Sequence, residues 1–188
     1  MPIVFGEMAS SVEEIVDAFE RHGDSVRGTY RAHYTFDSTT RDPYTAPRLE
    51  RPASLRDNPA DTLFPWEQIF TTAAACAGSD YPMLAAHLGI PLERVHFVVE
   101  GVFDPRREFD GLAGFAAPAD ARHCYPALHV RATLTSSAPR AALERLHARV
   151  LAHNMVLDAL RGIPLTSELV TVPAGEPSAR RATSTVAG

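Results

Sequence analysis

The segment from Glu67 to Leu88, EQIFTTAAACAGSDYPMLAAHL, constrains the fold more than any other part of the chain. Ile69, Phe70, Ala73, Ala74, Cys76, Ala77, Met83, Leu84 and Leu88 leave it little polar face. A helix apolar nearly all round has to be covered on most sides, so it must be central. From Thr71 to Ser79 every side chain is small, and another element can approach this stretch of backbone closely. Pro82 lacks an N–H and crowds the preceding turn, so it is expected to kink the helix or break it after Asp80. Gly89 should end it. Such a helix is hard to bury in a single chain of 188 residues, and an obligate dimer would cover it.

The remainder reads as strands and helices in the order α-ββ-α-β-β-α-β. Ser10-x-x-Glu13 and Ser11-x-x-Glu14 are overlapping capping boxes, and Val12, Ile15, Val16 and Phe19 follow on one face of a first helix that Gly23 can stop. Residues 26–36 alternate like a strand, and residues 48–55 supply a second strand or edge beyond a long connection. Residues 95–103 form a strand with Gly101 as a candidate bulge. Residues 104–121 form a loop or edge, and residues 125–135 form a strand that turns Leu128, Val130, Ala132 and Leu134 inward. A helix begins near Pro139 and carries Leu143, Leu146, Val150 and Leu157 on its apolar stripe as far as Leu160. A last strand covers residues 165–172. This is an α+β pattern, without the regular βα alternation of a doubly wound sheet. Residues 1–25 read as a helical extension, 26–172 as the domain and 173–188 as a disordered tail.

Charge and cysteine content narrow the function. With 18 basic residues, all arginine, against 23 acidic ones, the formal charge is −5. No Arg run exceeds two residues, which argues against non-specific nucleic-acid binding. Two cysteines cannot form a disulfide framework. The start carries no basic region leading into an apolar run, and no stretch is long and apolar enough to span a membrane. The expected compartment is the cytoplasm, where the thiols are inert core residues or redox-active. Eight scattered histidines show no metal-ligand spacing, and no glycine-rich phosphate loop or nucleophile elbow is present, so neither a metal nor another cofactor is expected.

Three positions stand out. Cys76 lies in the small-residue run, where a thiol also packs as a small hydrophobe. Glu67 precedes it by nine residues, in the first helical turn, where a carboxylate also favours the helix N-terminus. Asn154 falls on the apolar stripe of the late helix. A buried amide needs partners or costs about 1–3 kcal/mol, so it implies a polar pocket, unless it sits at the helix edge. Phe64, Trp66 and Phe70 bring aromatic surface to the same region or simply pack in the core or a dimer contact.

These residues resemble the OsmC/Ohr superfamily. Pro65-x-Glu67-x-x-Phe70 leads to Ala73-Ala74-Ala75-Cys76, then to Gly89-Ile90-Pro91-Leu92 and Val98-Val99-Glu100-Gly101. Leu157-Asp158-Ala159-Leu160-Arg161-Gly162-Ile163-Pro164-Leu165 resembles that family's second motif, where a helix ends and a strand begins. The likeness covers residues 26–172, and the N-terminal helix and Asp57-Asn58-Pro59 are closer to an OsmC-like branch. It implies antiparallel sheets wrapped around two central helices in an intertwined α+β homodimer, with the site at the subunit interface.

The resemblance also implies reduction of organic hydroperoxides in stress defence. A thiolate becomes a sulfenic acid, a second Cys condenses with it, and an external dithiol restores the pair. On this likeness Cys76 is the attacking thiol. Glu67 and an Arg position it and favour its thiolate form. The Arg is expected at Arg56, with Arg31 and Arg122 behind it. The family's second Cys falls at Asn154, where this chain has none, and Cys124 matches no family motif. The usual two-Cys cycle therefore cannot run in that form. One expectation is a one-Cys peroxidase with Cys76, Glu67 and Arg56 catalytic and with Asn154, Phe70 and Trp66 around the substrate, reduced by an external thiol. The other is a non-catalytic protein of the same fold that binds a small hydrophobic ligand at the dimer interface. A redox sensor acting through Cys76 is a third.

Overall fold

A computed structural model describes residues 12–13, 16–17, 19–21, 23, 27–40, 42–51, 65–121 and 125–175. The capping serines Ser10 and Ser11, Phe64, Arg56, Arg122, Cys124 and residues 176–188 lie outside the described residues, and so do the side chains of Pro65 and Trp66.

The chain is α+β, with a five-stranded mixed sheet. Its strands are β1 (Gly28–Asp37), β2 (Arg48–Glu50), β3 (Leu92–Phe103), β4 (Leu128–Ser136) and β5 (Leu165–Pro173), in the spatial order β2-β1-β3-β4-β5. The helices are α1 (Pro65–Leu88), α2 (Arg140–His153) and α3 (Met155–Ala159). β2, β1, β3 and β4 pair antiparallel, but β5 runs parallel to β4. That last pairing departs from the wholly antiparallel arrangement expected. α2 and α3 carry the chain back to the start of β4, and a crossover of that kind delivers a parallel neighbour.

Alternation along the strands separates two faces. Tyr30, Ala32 and Tyr34 of β1, Val95, Phe97 and Val99 of β3, and Leu128, Val130, Ala132 and Leu134 of β4 are buried against the helices. Arg31, His33, Glu100, His96, His129 and Arg131 occupy the opposite, polar face. There Arg31 pairs with Glu100 and Glu50, and Arg131 Nε donates to Glu168 at 2.6 Å.

α1 lays Phe70, Ala73, Ala74, Ala77, Tyr81 and Ala85 across the apolar face of the sheet. The small residues serve close approach, since a Cβ on Gly78 would lie 2.2 Å from the Tyr34 ring. Of the two outcomes expected at Pro82, a kink or a break after Asp80, the break does not occur, and α1 continues through it. Proline removes one helical hydrogen bond there, and burial of Tyr81 and Ala85 on either side holds the helix to the sheet. Gly89 ends the helix at φ +66°.

Two further expectations are corrected. Gly101 is no bulge. It pairs in register with Tyr30 and Leu128, and it lacks a side chain because a Cβ would come within 2.7 Å of both Leu128 and Phe70. The irregularity lies instead between Leu92 and Arg94. The late helix is not continuous to Leu160 but divides at Asn154. In the N-terminal segment, Val16 and Phe19 pack with Phe115 in a small second cluster, beside the 3-10 turn Pro105–Phe109.

Candidate functional site

Two groupings of side chains use the residues singled out in the sequence, and α1 carries both. The first is at its start. Glu67 is fully buried, and its carboxylate accepts two hydrogen bonds from Arg51, Nε to Oε1 at 2.6 Å and Nη2 to Oε2 at 2.8 Å. Arg51 lies one residue past β2, so the sheet edge delivers the guanidinium to the helix end. A bidentate fork of this kind is charge-assisted and directional, and the bond to Glu67 holds the Arg51 guanidinium above its ordinary pKa. The arginine expected beside Glu67 was Arg56, which lies outside the described residues, and the one that pairs is Arg51. The signal available was Arg48-Leu49-Glu50-Arg51, a candidate edge strand ending in a basic residue. Arg31, the second candidate, belongs to the outer face of the sheet.

The second grouping surrounds Cys76, which is half-buried. Asn154 is 1 % exposed and bridges three elements. Its Oδ1 accepts from the backbone N–H of Val156 at 3.1 Å and of Leu157 at 3.0 Å, capping α3. Its Nδ2 donates to Asp80 Oδ2 at 2.7 Å and to Cys76 Sγ at 3.2 Å. The expected polar contact of Asn154 is therefore present, but it arises from a break between helices rather than from a helix face. Asp80 was not singled out in the sequence. It stands one turn beyond Cys76, and that i, i+4 spacing was its signal.

Cys76 also lines an apolar groove of about 380 Å³ with Tyr34, Tyr44, Pro47, Ala75 and Ser79. Tyr34 is anchored by donating to the carbonyl of Pro43 at 2.5 Å, and burial pushes its hydroxyl up to about 12. Tyr44 is largely exposed at the rim, with its hydroxyl 3.7 Å from Met83 Sδ.

Glu67 and Cys76 do not meet within one chain. Nine residues separate them, which at about 100° per residue places them on opposite faces of α1, about 13 Å apart along its axis. Phe70, expected at the substrate, is in the core. It stacks on Tyr30 at 5.8 Å and meets Tyr125 edge-on at 5.3 Å. Among the described residues, no three His, Cys, Asp or Glu side chains are arranged to hold a metal, and no helix is long and apolar enough to cross a membrane.

No family model and no curated protein sequence matches the chain. Similar folds are found among solved structures. An OsmC-like protein from Mycoplasma pneumoniae is 11 % identical with a TM-score of 0.48, over 76 % of this chain and 95 % of that one. An organic hydroperoxide resistance protein OsmC from Legionella pneumophila is 16 % identical with a TM-score of 0.43, over 74 % of this chain and 96 % of that one. A hypothetical protein from Aquifex aeolicus VF5 is 12 % identical with a TM-score of 0.48, over 60 % of this chain and 76 % of that one.

Proposed function

We propose that this chain is an OsmC-like, thiol-dependent reductant of organic hydroperoxides, acting through Cys76 as a homodimer in the cytoplasm. The observation that carries the reading is the setting of Cys76. Its sulfur receives an N–H from a buried amide on one side, and on the other its side chain lines an apolar groove of about 380 Å³. The amide fixes where the sulfur sits, and the sulfur is the atom that would attack a peroxide. An apolar groove suits an alkyl or aryl hydroperoxide better than hydrogen peroxide. The motif order around Pro65–Cys76 and Leu157–Leu165 supports the same reading.

Two features support the dimer. Met83 and Leu88 of α1 and Met155 of α3 are exposed at 42 %, 48 % and 77 % in the single chain, and a second copy is the partner that would cover them. The Arg51–Glu67 pair lies on the far side of α1 from Cys76, so it can assist a thiol only in the partner subunit.

The test is stoichiometric titration of the reduced protein with cumene hydroperoxide, read by intact mass and dimedone trapping, beside Cys76→Ser. The expected result is rapid sulfenic acid formation that Cys76→Ser abolishes. Oxidation of Cys76 no faster than that of a free thiol would sink the reading.

A specific observation favours a second reading, binding of a small hydrophobic ligand without catalysis: the residue against Cys76 is an amide, not a second thiol. That reading expects a bound apolar molecule, found by native mass spectrometry, and no saturable turnover with a thiol reductant.

A further inference from the structure

We infer that Asn154 and Asp80 form a positioning pair that keeps Cys76 a one-thiol nucleophile, an inference that rests on the peroxide chemistry proposed above. The two backbone N–H groups bound to Oδ1 of Asn154 decide which end of its amide is oxygen. The two N–H bonds of Nδ2 then diverge in the amide plane, one to the Asp80 carboxylate and one to Cys76 Sγ. Rotating this amide away from the sulfur would give up a helix cap and a charge-assisted bond together. Asp80 rises from α1 one turn after Cys76, so the helix that presents the thiol also presents the group that aims the donor at it.

The chemistry follows from which group occupies position 154. The Cys76 thiolate attacks the distal oxygen of the hydroperoxide. An S–O bond forms, the O–O bond breaks, and the alkoxide leaves and takes up a proton as the alcohol. Cys76 is oxidised to the sulfenic acid and the hydroperoxide is reduced. An amide cannot condense with a sulfenic acid to a disulfide, so Asn154 holds the oxidised sulfur without capturing it. A low-molecular-weight thiol entering along the groove attacks that sulfur, forming a mixed disulfide and releasing water. A second such thiol cleaves the mixed disulfide, returning the Cys76 thiol and leaving as its own disulfide.

Iodoacetamide alkylation of the full chain tests the pair without any peroxide, in a Cys124→Ser background so that one thiol is read. Asn154→Ser keeps an oxygen that can cap α3, but its shorter side chain takes away the Nδ2 that reaches Cys76 Sγ. It should slow alkylation of Cys76 at neutral pH about tenfold, the loss expected for a hydrogen bond to a charged group. The rate at high pH should be unchanged. Asp80→Asn and Asp80→Ala both remove the carboxylate charge, but only Asp80→Ala removes the acceptor. Asp80→Ala should therefore react about threefold more slowly than Asp80→Asn at neutral pH.

Unchanged neutral-pH rates in Asn154→Ser, or a fall that is equal at both pH values, would overturn the role of the amide. Equal rates in the two Asp80 variants would overturn that of Asp80. Thermal melts of each variant confirm that it is folded when read. Absence of a sulfenic acid in the wild-type protein overturns the peroxidase reading instead, and the alkylation comparison is independent of that result.

Discussion

Asn154 donates to Cys76 Sγ at 3.2 Å across 78 residues of chain, from a break between α2 and α3. The amide is a helix cap and a thiol partner at once, so the junction of two helices and the hydrogen bonding of the sulfur share one side chain. Replacing it with a thiol is the most direct probe of the geometry. Asn154→Cys puts a second sulfur within a small side-chain movement of Cys76, in the position where the amide now meets it. The expected outcome on treatment with hydroperoxide is a disulfide between Cys76 and the introduced thiol, seen as the loss of two hydrogens from the intact mass and of the dimedone adduct. A persistent dimedone adduct in that variant would mean that the two elements are farther apart than the amide contact implies.

Arg51→Ala leaves the buried Glu67 carboxylate without its bidentate partner. Breaking one side of a buried ion pair costs about 3–5 kcal/mol because the remaining charge stays desolvated. Urea denaturation should therefore show a loss of about 3 kcal/mol, with Arg51→Lys intermediate because an ammonium cannot reproduce the fork. A loss under about 1 kcal/mol, the range of exposed pairs, would show that water or another contact compensates this carboxylate.

Stability should fall in mild acid. Burial pushes His147 below its ordinary value of 6.5, and Tyr81 Oη lies 2.7 Å from its Nδ1. Burial raises the Tyr81 hydroxyl far above its ordinary range, so the hydroxyl donates and the neutral ring accepts. Burial also lowers His33, against the opposing pull of Glu50. A group whose folded pKa is depressed binds fewer protons folded than unfolded, so its contribution is fully present above the unfolded pKa, about 6.5. It declines as the pH drops below that value. Denaturation midpoints from pH 8 to pH 5 should show this decline, and His147→Gln should flatten it.

Gly78→Ala should destabilise although it raises helix propensity by about 1 kcal/mol. The added methyl would sit 2.2 Å from the ring of Tyr34, which is fully buried and cannot swing away. Overpacking of this kind costs about 1–3 kcal/mol or more, so a net loss of at least about 1 kcal/mol is expected from thermal or urea unfolding. A gain in stability would mean that β1 and α1 can separate without cost.

Local patterns decided the α+β class, the strand alternation and the burial of α1, because each follows from the spacing of apolar residues along a few turns or a few strand positions. The same spacing marked Cys76 in a small-residue run and Asn154 on an apolar stripe, and the burial of Asn154 is as that stripe implied. Tertiary structure decided what those spacings cannot carry. Whether Pro82 breaks a helix depends on the packing of Tyr81 and Ala85 against a sheet distant in sequence. Whether Gly101 is a bulge or a slot for Phe70 depends on which helix crosses β3. The partner of Glu67 is Arg51 because the edge strand ends beside the start of α1. Asp80, marked in the sequence only by its i, i+4 spacing from Cys76, meets Asn154 because the α2–α3 break carries an amide to it. Periodicity records which face a residue occupies within its own element, whereas a hydrogen bond across 78 residues is set by where two elements dock.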